Sequence, residues 1–211
     1  MQKVFGVGGG GNNIINTMTE FDINNVEFIS IIGYEFLAER SLASKKISID
    51  PNFRGRGQVM PVGYAAEAEK KRDEIAGAIE GADVVYIVAC MGGAVGNGAS
   101  PVIAKIAGEM GVKAIAIVTK PFRFEGVHRA RRAEEGVIAL RDFADELYIL
   151  SLEDVLSEDA STQVINIKDD SASPIIISIN WRKGAETTML EAFDYANDAI
   201  CQCVQQLTKR L

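Results

Sequence analysis

Two runs of glycine constrain this chain more than any other feature. Gly6-Val7-Gly8-Gly9-Gly10-Gly11-Asn12-Asn13 and Met91-Gly92-Gly93-Ala94-Val95-Gly96-Asn97-Gly98 each follow a short β-branched segment and open a segment of helical period. A strand that passes through a glycine-rich turn into a helix is the joint of a βα unit, because parallel strands need crossover connections. Backbone N–H groups at such a joint face outward at the positive end of the helix dipole, and without a Cβ an oxygen-rich anion can approach them. Both runs read as phosphate-holding turns, and together they can grip one polyphosphate from two sides.

The remaining pattern predicts an α/β, doubly wound domain: a mostly parallel sheet with helices on both faces. Strands are predicted at 3–7, 26–32, 83–89, 113–118 and 146–150, and helices at 13–20, 64–80, 101–110 and 127–144. The polar stretch 41–63, with Gly55-Arg56-Gly57, reads as irregular, and Arg54 and Arg56 read as solvated. After Leu152 two β-rich runs, 162–168 and 174–181, flank Asp169-Asp170-Ser171-Ala172-Ser173, which predicts a β-hairpin inserted at 157–186. Leu190, Phe193, Ala196, Ile200, Val204, Leu207 and Leu211 then form one apolar stripe on a terminal helix, 187–211. All 211 residues are read as one domain.

Composition removes several function classes. With 29 acidic against 22 basic residues the net charge is −7, which disfavours a chain-wide polyanion surface, so no nucleic-acid partner is expected. No apolar run approaches the roughly 20 residues of a membrane span, so no membrane insertion is expected. Met1–Val7 leads into a strand without the regions of a signal peptide, which places the expected location in the cytoplasm. Cys90, Cys201 and Cys203 lack metal-type spacing and read as reduced, structural thiols. His128, the sole histidine, reads as a bystander.

Gly6, Gly8 and Gly11 also satisfy a dinucleotide-binding pattern, with Glu35 lying 24 residues beyond Gly11 as a ribose ligand. That reading leaves the second glycine run without a purpose. A nucleoside triphosphate gives it one, although neither run carries the Lys and Ser/Thr of a Walker loop.

Four separated motifs, in order, resemble the FtsZ/tubulin superfamily, and within it FtsZ. The first glycine run is similar to its first nucleotide loop. Gly92 to Gly98 resembles the signature Gly-Gly-Gly-Thr-Gly-(Thr/Ser)-Gly. Val118-Thr119-Lys120-Pro121-Phe122-Arg123-Phe124-Glu125-Gly126, with Arg129, resembles the segment that grips the ribose, and Thr188-Met189-Leu190-Glu191-Ala192-Phe193 with Ala196-Asn197-Asp198 resembles the start of the central helix. The resemblance covers roughly 1–150 and 187–211. It implies that Gly8, Gly9, Gly10, Gly11, Asn12, Asn13, Gly92, Gly93, Ala94, Val95, Gly96 and Asn97 surround the phosphates of GTP or GDP. It implies that Glu125 and Arg129 contact the sugar and nearby phosphate. The purine would stack on Phe193, with Asn197 and Asp198 reading the guanine edge, while Phe193 also belongs to the apolar stripe.

Departures from the family pattern shape the expected activity. Ala94 and Val95 stand where the third glycine and first threonine occur, and Ile32-Gly33-Tyr34 stands where Asn-Thr-Asp is usual, so hydroxyl and carboxylate groups expected near the phosphate, sugar and Mg²⁺ are missing. The need for Mg²⁺ is left open. The acidic synergy loop and second domain that follow the central helix in FtsZ have no counterpart in this sequence, which predicts weak or partner-dependent GTP hydrolysis and no catalytic residue of its own. The alternative expectation is a non-hydrolysing interaction protein that binds itself or caps an FtsZ-type filament.

Overall fold

The computed structural model describes residues 1–20, 25–33, 35–49, 60–155, 161–164, 175–178 and 188–210. Six strands, β1 (Gln2–Val7), β2 (Val26–Ile32), β3 (Lys45–Ser48), β4 (Val84–Cys90), β5 (Lys113–Lys120) and β6 (Glu146–Ser151), form one sheet in the order β3-β2-β1-β4-β5-β6. Every pairing in it is parallel. The order reverses between β1 and β4, whose ends lie level, with Val7 opposite Ala89. In open α/β sheets ligands bind outside the carboxyl ends of the strands at such a reversal.

The helices are α1 (Gly8–Met18), α2 (Glu35–Arg40), α3 (Pro61–Lys70), α4 (Arg72–Ile79), α5 (Ala94–Glu109), α6 (Val127–Arg141), α7 (Leu152–Val155) and α8 (Met189–Thr208). Alternate residues of the central strands enter two cores. On one face Val4, Tyr86, Val88, Ile115 and Ile117 pack with Ile14, Ile15 and Met18 of α1 and Ile200 and Val204 of α8. On the other Phe5, Ile29, Ile31, Ile87 and Ala116 pack with side chains of α3, α4, α5 and α6. Burial on both faces is why the central strands read as near-continuous apolar runs. The buried Lys3 side chain donates to the carbonyls of Ala78 and Glu80, 2.8 Å each, at the end of α4, and its ammonium lies 3.1 Å from Glu27. A cation there satisfies orphan carbonyls at a helix C-terminus.

The structure moves several predicted boundaries. α1 and α5 begin at Gly8 and Ala94, several residues before the predicted starts at 13 and 101, so the glycine runs supply first helical turns. Tertiary packing overrides the poor helix propensity of glycine here: a Cβ on Gly11 would lie 2.6 Å from the Val88 carbonyl oxygen. Pro101 consequently falls inside α5. The helix predicted over 64–80 starts at Pro61, in the favoured first-turn position, and breaks at Lys71 into α3 and α4. β3 lies in the stretch predicted as irregular, since a four-residue edge strand with two lysines buries only Ile47 and carries little periodic signal.

The inserted hairpin is present in the described part as β7 (Ser161–Val164) antiparallel to β8 (Ile175–Ser178), with Thr162 opposite Ile177. Trp181, Arg54, Arg56 and Tyr34 lie outside the described residues. The start of α8 is fixed by a capping box: Thr188 Oγ1 accepts from Glu191 N and Glu191 Oε2 accepts from Thr188 N at 2.8 Å. Cys201 and Cys203 face different sides of α8, yet both are fully buried, because α8 packs on α1 and also on β5, α7 and β8. Among the described residues no helix is long and apolar enough to cross a membrane.

Candidate functional site

At the sheet's reversal point β1 and β4 deliver their glycine runs side by side, and the runs touch. A Cβ on Gly8, whose φ of +74° suits only glycine, would lie 3.2 Å from the Val95 Cβ and 3.3 Å from Gly96 N. Beside this contact opens a cleft of about 400 Å³. Its volume falls in the range of small-molecule sites, roughly 300–1,000 Å³.

The structure brings Gly8, Gly9, Gly10, Asn13, Gly93, Ala94, Val95, Gly96, Arg129, Phe193 and Asn197 to the walls of this one cleft. Residues from both glycine runs, α6 and α8, far apart in sequence, therefore meet. Both α1 and α5 start at the cleft, neither has a side-chain cap, and neither carries an acidic residue in its first turn. The first N–H groups of a helix have no partner within it, so two uncapped starts leave amide donors and two positive dipole ends directed at one space.

Other predicted site residues sit behind these walls. Gly11 is a packing glycine against Val88. Asn12 is buried, and its Oδ1 accepts from Ser30 Oγ at 2.9 Å, with Ser30 in turn 2.8 Å from Ser41 Oγ. Gly92, with φ +93°, lies under Arg129: a Cβ there would sit 2.7 Å from the Arg129 Cγ and carbonyl oxygen. Asn97 opens instead onto a groove between α3, α5 and α6. Glu125 is engaged from both oxygens, Oε1 accepting from Phe122 N at 2.9 Å and Oε2 lying 3.1 Å from Arg129 Nε. It thus holds the arginine that reaches the cleft. Asp198 does not line the cleft; burial, then the neighbouring charges of Asp194 and Glu20, push its carboxyl above the usual carboxylate range.

At the far end of the cleft Phe193 meets Phe122 and Phe124. Phe122 and Phe124 stack with centroids 4.8 Å apart, and Phe193 stands edge-on to Phe122 at 5.3 Å. One ring of an aromatic cluster therefore faces the cleft on a partly apolar wall.

Two residues of the cleft escape sequence reasoning. Val7 is the last residue of β1, and Cys90 the last of β4. Their position at strand ends beside the reversal point is the signal that finds them. The Cys90 thiol is pushed up by burial, which outweighs the lowering effects of the Thr119 side chain and the Arg129 charge. It is held as a neutral thiol against Gly10.

The donor set fits magnesium poorly. No carboxylate or hydroxyl side chain is found among the described cleft walls, and no group of three or more His, Cys, Asp or Glu suited to a metal occurs among the described residues. Divalent magnesium is held by oxygen donors, commonly one or two carboxylates with substrate phosphates.

Amide-lined helix starts at a sheet's reversal point, with one arginine and one aromatic wall, suit an anionic ligand that also carries a flat ring. Residues 2–157 match the model of the Tubulin/FtsZ family, GTPase domain. The chain belongs to that family. It superimposes on the empty FtsZ dimer of M. jannaschii with a TM-score of 0.80 at 26% identity, covering 99% of this chain and 54% of that one. CetZ2 from Haloferax volcanii, in a GTPgS-bound protofilament, gives 0.75 at 21%, covering 98% and 57%. CetZ from Methanosaeta thermophila gives 0.71 at 16%, covering 99% and 54%. The two CetZ matches show the fold alone. The chain spans little more than half the length of these structures.

Proposed function

We propose that the cleft binds a guanine nucleotide, GTP or GDP, with its phosphates against the starts of α1 and α5 and its purine against Phe193. The observation that carries this reading is the convergence of two uncapped, acid-free helix N-termini on one cleft that also holds Arg129. The amides of Gly9, Gly10, Ala94, Val95 and Gly96 serve as phosphate donors, and Arg129 supplies charge to the phosphates. Asn197 stands one helical turn beyond Phe193, where its carboxamide can meet both donors and acceptors on the base edge. Affiliation with a GTPase family supports guanine over other bases, and the FtsZ likeness supports a role in cell division or cytoskeletal assembly, in the cytoplasm.

The described cleft walls offer no carboxylate to orient an attacking water, so hydrolysis by this chain alone is expected to be slow and to depend on a second chain. The FtsZ structure that the chain resembles at 26% identity is a dimer, which supports self-association or joining of an FtsZ-type filament as the partner interaction. The test is titration of labelled GTP, GDP, ATP and NAD into purified protein. Retention of the guanine nucleotides above the other two is expected; equal and negligible retention of all four sinks the proposal.

One observation favours a second reading, an interaction protein that binds or caps filaments without nucleotide turnover. Val95 is only 8% exposed and packs on Gly33 beside Tyr64: a Cβ on Gly33 would meet Val95 Cγ2 at 2.5 Å and Tyr64 Cε1 at 2.9 Å. The phosphate end of the cleft is thus partly apolar. Light scattering of FtsZ assembly with excess chain separates the readings: altered assembly without bound nucleotide supports the second.

A further inference from the structure

The Asn97 carboxamide joins two parts of the cleft wall that no backbone hydrogen bond joins. It is 5% exposed. Its Oδ1 accepts from Gly92 N at 2.8 Å, inside the second glycine run. Its Nδ2 donates to the carbonyl of Arg132 in α6. The fit is close: a Cβ on Gly136 would lie 2.6 to 2.8 Å from Asn97 Cγ, Nδ2 and Oδ1. Only a glycine at that point of α6 admits the amide.

These contacts close a circuit. Arg132 is three residues along α6 from Arg129, close to one turn. Arg129 lies back over Gly92, and it is the one cationic side chain among the described cleft walls. The chain of contacts runs Gly92, Asn97, α6, Arg129 and back to Gly92. Cutting it at Asn97 leaves a buried N–H without its acceptor and frees α6 to shift against the α5 start. Both amide heteroatoms face away from the cleft, so Asn97 has no atom directed at a ligand there.

We infer that Asn97 is a positioning residue that locks the second glycine turn to α6 and so sets Arg129 and the α5 amides at a fixed spacing for a nucleotide's phosphates. This rests on the guanine-nucleotide reading and assigns Asn97 an indirect part in it. The role is specific to phosphate: the purine wall at Phe193 and Asn197 comes from α8, which the circuit does not include.

The test compares GDP and guanosine binding to the full chain by equilibrium dialysis, for the wild type, Asn97→Ala and Gly136→Ala. Gly136→Ala displaces the amide from the other side, at a helical site where alanine itself is favoured. Thermal melts identify any variant that fails to fold, and the other variant then carries the comparison. The expected result is about a tenfold loss of GDP affinity with guanosine affinity unchanged within about twofold, as for one misplaced charged contact. Equal losses for GDP and guanosine, or no loss of GDP affinity in a folded variant, overturn the inference while the nucleotide reading stands. A wild type that retains neither ligand overturns the nucleotide reading itself, and the inference with it.

Discussion

Gly8 and Val95 touch across the sheet's reversal point, the Gly8 Cα hydrogen face lying so close that an added Cβ would stand 3.2 Å from the Val95 Cβ. One wall of the cleft is therefore shared between two turns that are 87 residues apart in sequence. The valine makes that shared wall apolar where the family pattern carries a threonine. Val95→Thr keeps the shape and adds a hydroxyl to a residue that lines the cleft and also packs on Gly8 and Gly33. Without ligand the variant should lose about 1 kcal/mol of stability, the lower end of the cost of a poorly partnered buried hydroxyl. Added GTP should restore more of that loss than added guanosine, as read from thermal melts. A melt that responds equally to both ligands contradicts the placement of phosphate beside Val95.

Gly10 and Cys90 form a second such pair. A Cβ on Gly10 would come 2.7 Å from the Cys90 Cβ, too near for either side chain to swing away. Gly10→Ala should destabilise the fold by about 1–3 kcal/mol through overpacking. Removing the obstacle with Cys90→Gly in the same chain should recover a large part of that cost. A double-mutant cycle by denaturant unfolding measures the coupling; additive effects would show that the two residues are not in contact.

Gly92 and Gly93 are neighbours with opposite requirements. Gly92 has φ +93° and the Arg129 backbone above it, whereas Gly93 has φ −83° and only the Cys90 carbonyl oxygen, at 3.7 Å, near its missing Cβ. Gly92→Ala should cost 2 kcal/mol or more, by about the sum of left-handed strain and a backbone clash. Gly93→Ala should leave stability within about 0.5 kcal/mol. Its effect should fall on nucleotide affinity, because Gly93 lines the cleft. Paired urea titrations and nucleotide titrations check both halves.

The architecture was legible because the central strands are buried on both faces, so Val84–Cys90 and Lys113–Lys120 carry continuous apolar runs that no solvent-facing element shows. The helix starts were not. Gly9 to Gly11 and Gly96 to Gly98 look like loops by propensity, and only the contact of Gly11 with the Val88 carbonyl, or of Gly98 with Pro61 and Ala65, explains why glycine is helical there. The candidate site divides the same way. Residue type and order grouped Gly9, Arg129 and Phe193, which line one cleft, with Asn97 and Glu125, whose polar side chains have protein atoms as partners. A sequence displays a side chain's capacity for hydrogen bonding and conceals whether another element has already taken it up.

Asp198 gives a pH signature distinct from the cleft's own chemistry. Its carboxyl is raised above the usual value of 3.8, first by burial and then by Asp194 and Glu20. A folded-state value above the unfolded one means the folded chain binds this proton more tightly, so the ionised form opposes folding at neutral pH. The penalty is complete above the folded value, shrinks as pH falls through it, and is gone below the unfolded value. Asp198→Asn removes the charge and should stabilise the fold at pH 7 by at most about 0.5 kcal/mol, since solvent screens a partly exposed group. The difference between variant and wild type should be greatest at neutral pH and should fall away as pH drops through the raised folded value toward the unfolded one, as read by denaturant unfolding. A difference that is constant over that range, or that favours the wild type at pH 7, would mean Asp198 has a favourable partner that repays its charge.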